Sequence, residues 1–189
     1  LHTHSGFSAV PGGAEGQERM SGTGFDSLKA LIVDDNAHMR ALLRALLNSI
    51  GIKDVWEAVH GGTALDVLRD RRPDLVLTDM QMRPMDGIEF TRMVRNSDTS
   101  PNPFVPILMI SGHTERQRVE AARDVGVTEF IAKPITVGSL YSRIAEIVER
   151  PRGFVRTEGY FGPDRRRKTL DNYAGPWRRA EDFADTEVR

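Results

Sequence analysis

Leu75-Val76-Leu77-Thr78-Asp79 is the stretch that decides how this chain folds. It is too brief for a helix and carries no charge before its end, so it reads as a strand buried on both faces and closed by a carboxylate. In an open parallel sheet, ligands sit beyond the carboxyl ends of the strands, which places Asp79 where chemistry is expected. The plainer alternative is that Asp79 caps the following turn. A second run, Ala30-Leu31-Ile32-Val33, ends the same way, in Asp34 and Asp35. If the two strands are neighbours, three carboxylates gather at one edge. Packed that closely, they cannot all stay ionised without a compensating cation, which asks for a hard divalent metal such as Mg2+. An Asp-Asp-Asn turn also makes a good helix start.

Working outward, strand and helix alternate five times between Lys29 and Arg150. Met39, Leu42, Leu43, Leu46, Leu47 and Ile50 recur at helical spacing, and Gly51 ends that run as a C-terminal cap. A short strand over 54–58 precedes a helix over 62–71, which Pro73 stops. Beyond the central strand come a helix over 87–95, a turn-rich loop over 97–103, a strand over 105–110 and a helix over 115–125. A strand over 129–132 and a helix over 137–150, with Leu140, Ile144, Ile147 and Val148 inward, complete the pattern. Such alternation predicts right-handed crossovers and a doubly wound α/β domain.

Two further strands close on polar residues, Ser111-Gly112 and Lys133-Pro134, at the same edge as the acids. A hydroxyl and an ammonium beside a metal and a carboxylate suit a phosphoryl group. The carboxylate attacks phosphorus, the cation spreads the developing charge, and Lys and Ser bind the remaining oxygens.

Composition narrows the field. The chain has 189 residues, 39% hydrophobic and 28% charged, with a net charge of −1 and no cysteine. That excludes a disulfide framework, thiol catalysis and cysteine-ligated zinc, and it fits a cytoplasmic location. No apolar run approaches the roughly 20 residues of a membrane span. Residues 1–27 are rich in Gly, Ser and Thr without hydrophobic period and are expected to be disordered. Met20 reads as the native start, which makes 1–19 an addition, and His2 and His4 receive no role.

On these residues the chain resembles the CheY-like receiver domains of two-component response regulators, over about residues 28–150. The matching signatures are Asp34-Asp35, Asp79 with Met85-Asp86-Gly87, Ser111-Gly112, and Phe130-Ile131-Ala132-Lys133-Pro134. The resemblance implies a flavodoxin-like sheet of five parallel strands in the order 2-1-3-4-5, with Asp79 as phosphoacceptor. Asp35, Asp79 and the Gln81 carbonyl would ligate Mg2+, with Asp34 acting through water. Lys133 would pair with the phosphoryl group, and its bond to Pro134 would be cis. A histidine kinase or phosphotransfer protein would be the donor, and the domain would catalyse only its own phosphotransfer and dephosphorylation. Met82 is followed by Arg83 before Pro84, one place later than the family pattern, and Gln81 and His113 fall where the family tunes the phosphoryl lifetime. The implied switch draws Ser111 inward and lets Phe130 fill the space, altering a protein-docking surface on the fourth helix, fifth strand and fifth helix. Phe130 as a static core aromatic is the alternative.

Residues 151–189 read as a tail with no sustained period, too short for a DNA-binding output domain. Two clusters stand out, Tyr160-Phe161-Gly162-Pro163-Asp164-Arg165-Arg166-Arg167-Lys168 and Tyr173-Ala174-Gly175-Pro176-Trp177-Arg178-Arg179-Ala180-Glu181-Asp182. Arginine's planar fork binds phosphate or a guanine edge and stacks on flat rings. The plain alternative is a solvated tether. The tail is similar to the arginine-rich extension of the Cle group of CheY-like proteins, which implies cyclic di-GMP binding and action on the flagellar motor switch. On that resemblance Arg165, Arg166, Arg167, Arg178 and Arg179 would hold guanine edges and phosphates, and Trp177 or Tyr173 would stack. Asp164 would take guanine N–H donors, and Asp182 would complete an Arg-x-x-Asp spacing. A phosphorelay intermediate and a nonspecific RNA-binding tail are the competing readings.

Overall fold

The computed structural model describes residues 24–96, 98–112 and 116–165. Five parallel strands, β1 (Lys29–Val33), β2 (Asp54–Ala58), β3 (Leu75–Asp79), β4 (Ile107–Ser111) and β5 (Glu129–Ala132), pair in the order β2-β1-β3-β4-β5. Helices α1 (Ala37–Ser49), α2 (Gly61–Arg71), α3 (Gly87–Arg95), α4 (Arg116–Asp124) and α5 (Val137–Glu149) supply the crossovers. This is the expected doubly wound fold in the expected order.

The unbroken apolar strands have a simple cause. Alternate residues of a strand face opposite sides, and here both sides are covered. Ala30 and Ile32 pack with Leu77, Leu108 and Ile110 against Leu43, Leu47, Leu140 and Ile144 of α1 and α5. Leu31, Val33, Val76 and Ile107 pack against Ala64, Leu68, Phe90 and Val94 of α2 and α3. Each fully buried aliphatic contributes roughly 1.5–3 kcal/mol, so the central strands hold the layers together. Local signals agree with this packing: Asn36 caps α1 by accepting from the His38 and Met39 amides, and Asp86 caps α3 through the Glu89 amide. Gly51 takes the left-handed conformation that ends α1, at φ 105°.

Several expectations need correcting. Leu42 and Val148 point outward, because each lies off the stripe that meets the sheet. The fourth strand begins at Ile107 rather than 105, since Pro106 offers no amide to the ladder. The N-terminal boundary also moves: Phe25 is buried in the α1/α5 layer, its ring 5.3 Å from that of Tyr141, so the packed unit starts before residue 28. The expectations for residues 1–23, including Met20 as the start, lie outside the described residues.

The larger correction is beyond Pro151. Phe154–Thr157 (β6) and Tyr160–Pro163 (β7) form an antiparallel hairpin, where the sequence had suggested no strand. Gly159, at φ 83°, supplies the left-handed residue its two-residue turn needs. A hairpin alone is marginal in water, and this one is held by docking. Phe154 and Phe161 close on Phe104 with ring centroids 5.3 Å away. Gly162 lies so close to Gly126 that a Cβ on it would come within 2.8 Å of the Gly126 Cα. The buried Glu129 carboxylate pairs with Arg143 at 3.2 Å and with Arg152 at the start of the segment. The docking surface is the end of the sheet where β4 and β5 begin, opposite the end that carries Asp79.

Candidate functional site

The acidic edge is built by adjacent strands. β1 and β3 are in register with Val33 beside Thr78, so Asp34 and Asp79 leave the sheet next to each other. Asp34 and Asp79 are 2% and 7% exposed. The α3 start is pressed onto this edge: a Cβ on Gly87 would come within 2.3 Å of the Asp79 carbonyl oxygen, so only glycine fits there.

Lys133, at the end of β5, donates to Asp79 Oδ1 at 2.6 Å. The Gln81 amide donates to Asp79 Oδ2 at 2.7 Å. Asp34 Oδ1 accepts from the Asn36 amide at 2.8 Å, whereas Asp34 Oδ2 is buried with no hydrogen-bond partner. Burial pushes the Asp34 carboxyl above the usual carboxylate range, and the charges of Asp79 and Asp35 push the same way; the Asn36 amide and Lys133 oppose them. Asp35 Oδ2 is turned away to accept from the Arg83 amide at 3.2 Å. The two prolines flanking the site, Pro84 and Pro134, both follow cis bonds, the second as the resemblance implied.

The three acids therefore share one edge and feel each other's charge, but their oxygens do not close into one ligand sphere. Among the described residues no group of three acids or imidazoles stands ready to hold a metal; Lys133 and the Arg83 amide each engage one of the carboxylates. The donor set still fits a hard cation. A buried, partnerless carboxylate oxygen beside two further carboxylates is the environment a divalent ion relieves.

Ser111 ends β4, fully buried, with its hydroxyl 3.5 Å from Met80 Sδ. Phe130 is half-buried against a cluster of Met80, Met109, Ala122 and Val127. His113 lies outside the described residues, as do Arg166, Arg167, Tyr173, Trp177, Arg178, Arg179 and Asp182. Of the tail residues expected to hold a nucleotide, Asp164 and Arg165 are described. The Asp164 amide donates to the Gly153 carbonyl at 2.8 Å. Arg165 is already engaged: it pairs with Asp124 at 3.3 Å and lies over the Tyr160 ring at 4.0 Å.

Sequence reasoning missed Arg95. It is 5% exposed, with Nε donating to the Gly126 carbonyl at 2.9 Å and Nη1 to those of Pro103 and Val105, both at 2.8 Å. Its guanidinium lies 5.1 Å from the Phe154 ring centre. Burial pulls it down to about 10, with the charge retained at neutral pH. An arginine in the last turn of a helix normally looks like a solvated end charge. The clue was the glycine, Gly126, that opens a carbonyl to it from the next crossover.

Residues 30–145 match the family described as Response regulator receiver domain. The chain is 35% identical over 126 residues to the chemotaxis protein CheY of Pseudomonas aeruginosa, covering 67% of this chain and all of that one. It is 35% identical over 124 residues to chemotaxis protein CheY-3 of Vibrio cholerae, covering 66% of this chain and 94% of the relative. Among solved structures, Vibrio cholerae CheY4 superposes with a TM-score of 0.59 at 29% identity, covering 64% of this chain and 98% of the other. A receiver domain of a Pseudomonas aeruginosa sensor histidine kinase, described with magnesium coordinated in its active-site cleft, has a TM-score of 0.58 at 24% identity. It covers 65% of this chain and 98% of the other, and shows the shared fold.

Proposed function

We infer, because this chain belongs to the response regulator receiver domain family, that Asp79 accepts a phosphoryl group from a histidine kinase or phosphotransfer protein and so switches a docking surface. The observation that carries this reading is the Lys133–Asp79 contact of 2.6 Å beside the partnerless Asp34 oxygen. An Asp79 carboxylate oxygen attacks the phosphorus of a phosphohistidine; the N–P bond breaks, an acyl phosphate forms, and the freed imidazole takes a proton from solvent. Lys133 follows the charge, exchanging the carboxylate for a phosphoryl oxygen. The Gln81 amide holds the other Asp79 oxygen and fixes the direction of attack. Mg2+, held by Asp34, Asp35, Asp79 and the Gln81 carbonyl, would neutralise charge developing on the phosphoryl oxygens.

Ser111, which ends β4 at the same edge, is the hydroxyl that would follow the new dianion, and the partly buried Phe130 would move with it. The surface this alters lies on α4, β5 and α5. The names of the relatives suggest a chemotaxis partner; the flagellar motor switch as that partner and a cytoplasmic setting are part of the same proposal. Among the described residues no helix is long and apolar enough to cross a membrane. Acetyl phosphate should label the full chain at Asp79, with Asp79→Asn unlabelled and Lys133→Ala labelled but unable to change partner binding. Persistent labelling of Asp79→Asn would remove Asp79 from this role.

The arginine-rich segment from Arg165 onward is proposed to bind cyclic di-GMP and tune that docking. Its local excess of positive charge supports this, with eight basic residues against three acids from Arg152 to Arg179. Calorimetry with cyclic di-GMP on the full chain and on a chain ending at Arg165, which keeps the hairpin, tests it. Heat from the full chain alone is expected, and heat from neither would sink the reading.

A further inference from the structure

Between α3, α4 and the hairpin lies an open cleft of about 800 Å3, within the range of small-molecule sites. Ile88 and Arg92 line it from one stripe of α3, and the C-cap residue Asn96 continues that side. Ala121 and Asp124 of α4 and Val125 just after it face it, and Arg156, Tyr160 and Phe161 close it from the hairpin.

Two guanidiniums from separate elements line this one cleft. Arg92 is exposed and makes no ion pair among the described residues. Arg156 is exposed too; its guanidinium rests on the Phe161 ring at 4.7 Å, and it likewise has no carboxylate partner among the described residues. Arg40 and Arg44 pair with Glu57, Arg143 and Arg152 with Glu129, and Arg95 donates to three carbonyls; Arg71, Arg72 and Arg83 are exposed and lie away from the cleft lining. The acids on the cleft are Asp98 and Asp124, and Asp124 is bracketed by Arg165 at 3.3 Å and Arg123 at 3.5 Å. The α3 C-terminal dipole is no sufficient reason for Arg92, since the buried Arg95 charge sits at the same helix end. Two unpaired cations on separate elements, above a wall made by Ile88, Val125 and Phe161, match an anion joined to an organic body.

We propose that this cleft binds a small phosphate-bearing molecule of nucleotide size, with Arg92 and Arg156 gripping the phosphate from two walls. Arginine's fork suits phosphate oxygens, and paired forks give it direction. The site stands on residues up to 165 and does not rest on the cyclic di-GMP reading of the segment beyond. Because the walls belong to α3, α4 and the hairpin, an occupant ties the hairpin to the helix whose face is the proposed output.

The test is titration of isotope-labelled full chain with guanosine monophosphate and with inorganic pyrophosphate, read by amide shifts and calorimetry. Shifts should centre on Arg92, Asn96, Arg156 and Tyr160, and Arg92→Gln or Arg156→Gln should each weaken binding at least about tenfold, the loss of one charged hydrogen bond. Melting curves of both variants control for folding. Tighter binding of the mononucleotide assigns the apolar wall to the organic body; equal binding assigns recognition to phosphate alone, and either supports the site. No saturable binding, shifts confined to the Asp79 edge, or undiminished affinity in the double variant would overturn it. Cyclic di-GMP heat that survives the double variant and vanishes on ending the chain at Arg165 would leave the tail reading standing without this one.

Discussion

Arg95 should be the most sensitive position outside the acidic edge. Three carbonyls, two of them buried, accept from one side chain, and no carboxylate is needed to keep it charged. Hydrogen bonds from a charged donor contribute about 1.5–3 kcal/mol each. Against them stands the cost of burying the guanidinium. Its fall to about 10 corresponds to roughly 3 kcal/mol at about 1.4 kcal/mol for each pH interval of one. The balance is a net contribution of about 1.5–6 kcal/mol, so Arg95→Met, which fills the space and removes every donor, should lower the urea-unfolding free energy by that amount. The Phe154 ring adds a separable part. In a double-mutant cycle of Arg95→Met with Phe154→Leu, the coupling should be about 0.5–2 kcal/mol, the range of a cation over an aromatic face. Buried ions are sometimes replaced by apolar residues at no loss. A neutral or stabilised Arg95→Met would place this arginine in that class and refute its net contribution to stability.

Asp34 carries a pH signature in the metal-free protein. Its folded-state value is raised, so the native state holds a proton that the unfolded state has released. The stability at issue is fully present below the ordinary carboxylate range and is lost as pH rises through the folded value. Asp34→Asn should flatten that loss in thermal melts, and Mg2+ should stabilise the parent but not the variant; identical pH profiles would sink the account. Gly162→Ala would bring a Cβ within 2.8 Å of Gly126 and 2.7 Å of the Tyr160 hydroxyl. It should lift the hairpin at a cost of about 1–3 kcal/mol, seen as faster proteolysis after Arg152 and Arg156.

The centre of the sheet was legible because its strands are buried on both faces and therefore nearly free of polar residues, as Leu75–Asp79 and Ile107–Ser111 are. The polar residues that interrupt these runs stand at strand ends, which is why Asp34, Asp79, Ser111 and Lys133 could be placed without coordinates. Side-chain direction was not legible. That Asp35 turns to the Arg83 amide depends on the loop after Asp79, whose proline is displaced by one position. The hairpin was hidden for a different reason. Phe154–Thr157 and Tyr160–Pro163 are four-residue runs with weak alternation, and what makes them strands is a distant surface: Phe104, Gly126, Arg95 and Glu129. Phe25 escaped for the same cause, one aromatic in a polar stretch finding its partner Tyr141 far along the chain.

The receiver match ends at residue 145, yet the packed unit runs from Phe25 to Arg165. The added hairpin is attached to the elements that the proposed switch uses. β5 carries Glu129, which holds Arg152, next to Phe130; α4 ends in Asp124, which holds Arg165. A change in β5 or α4 caused at Asp79 therefore changes the hairpin's footing, and linkage requires the reverse with equal free energy. Phosphorylation of the full chain should alter hydrogen exchange at the β6–β7 amides. Weakening the attachment by Asp124→Asn should shift the equilibrium of the phosphorylated state in the direction linkage requires, by no more than the free energy by which phosphorylation shifts the hairpin. Hairpin exchange rates that are indifferent to phosphorylation, while the α4 and β5 amides respond, would mean that this attachment is structural only and the two ends of the domain act independently.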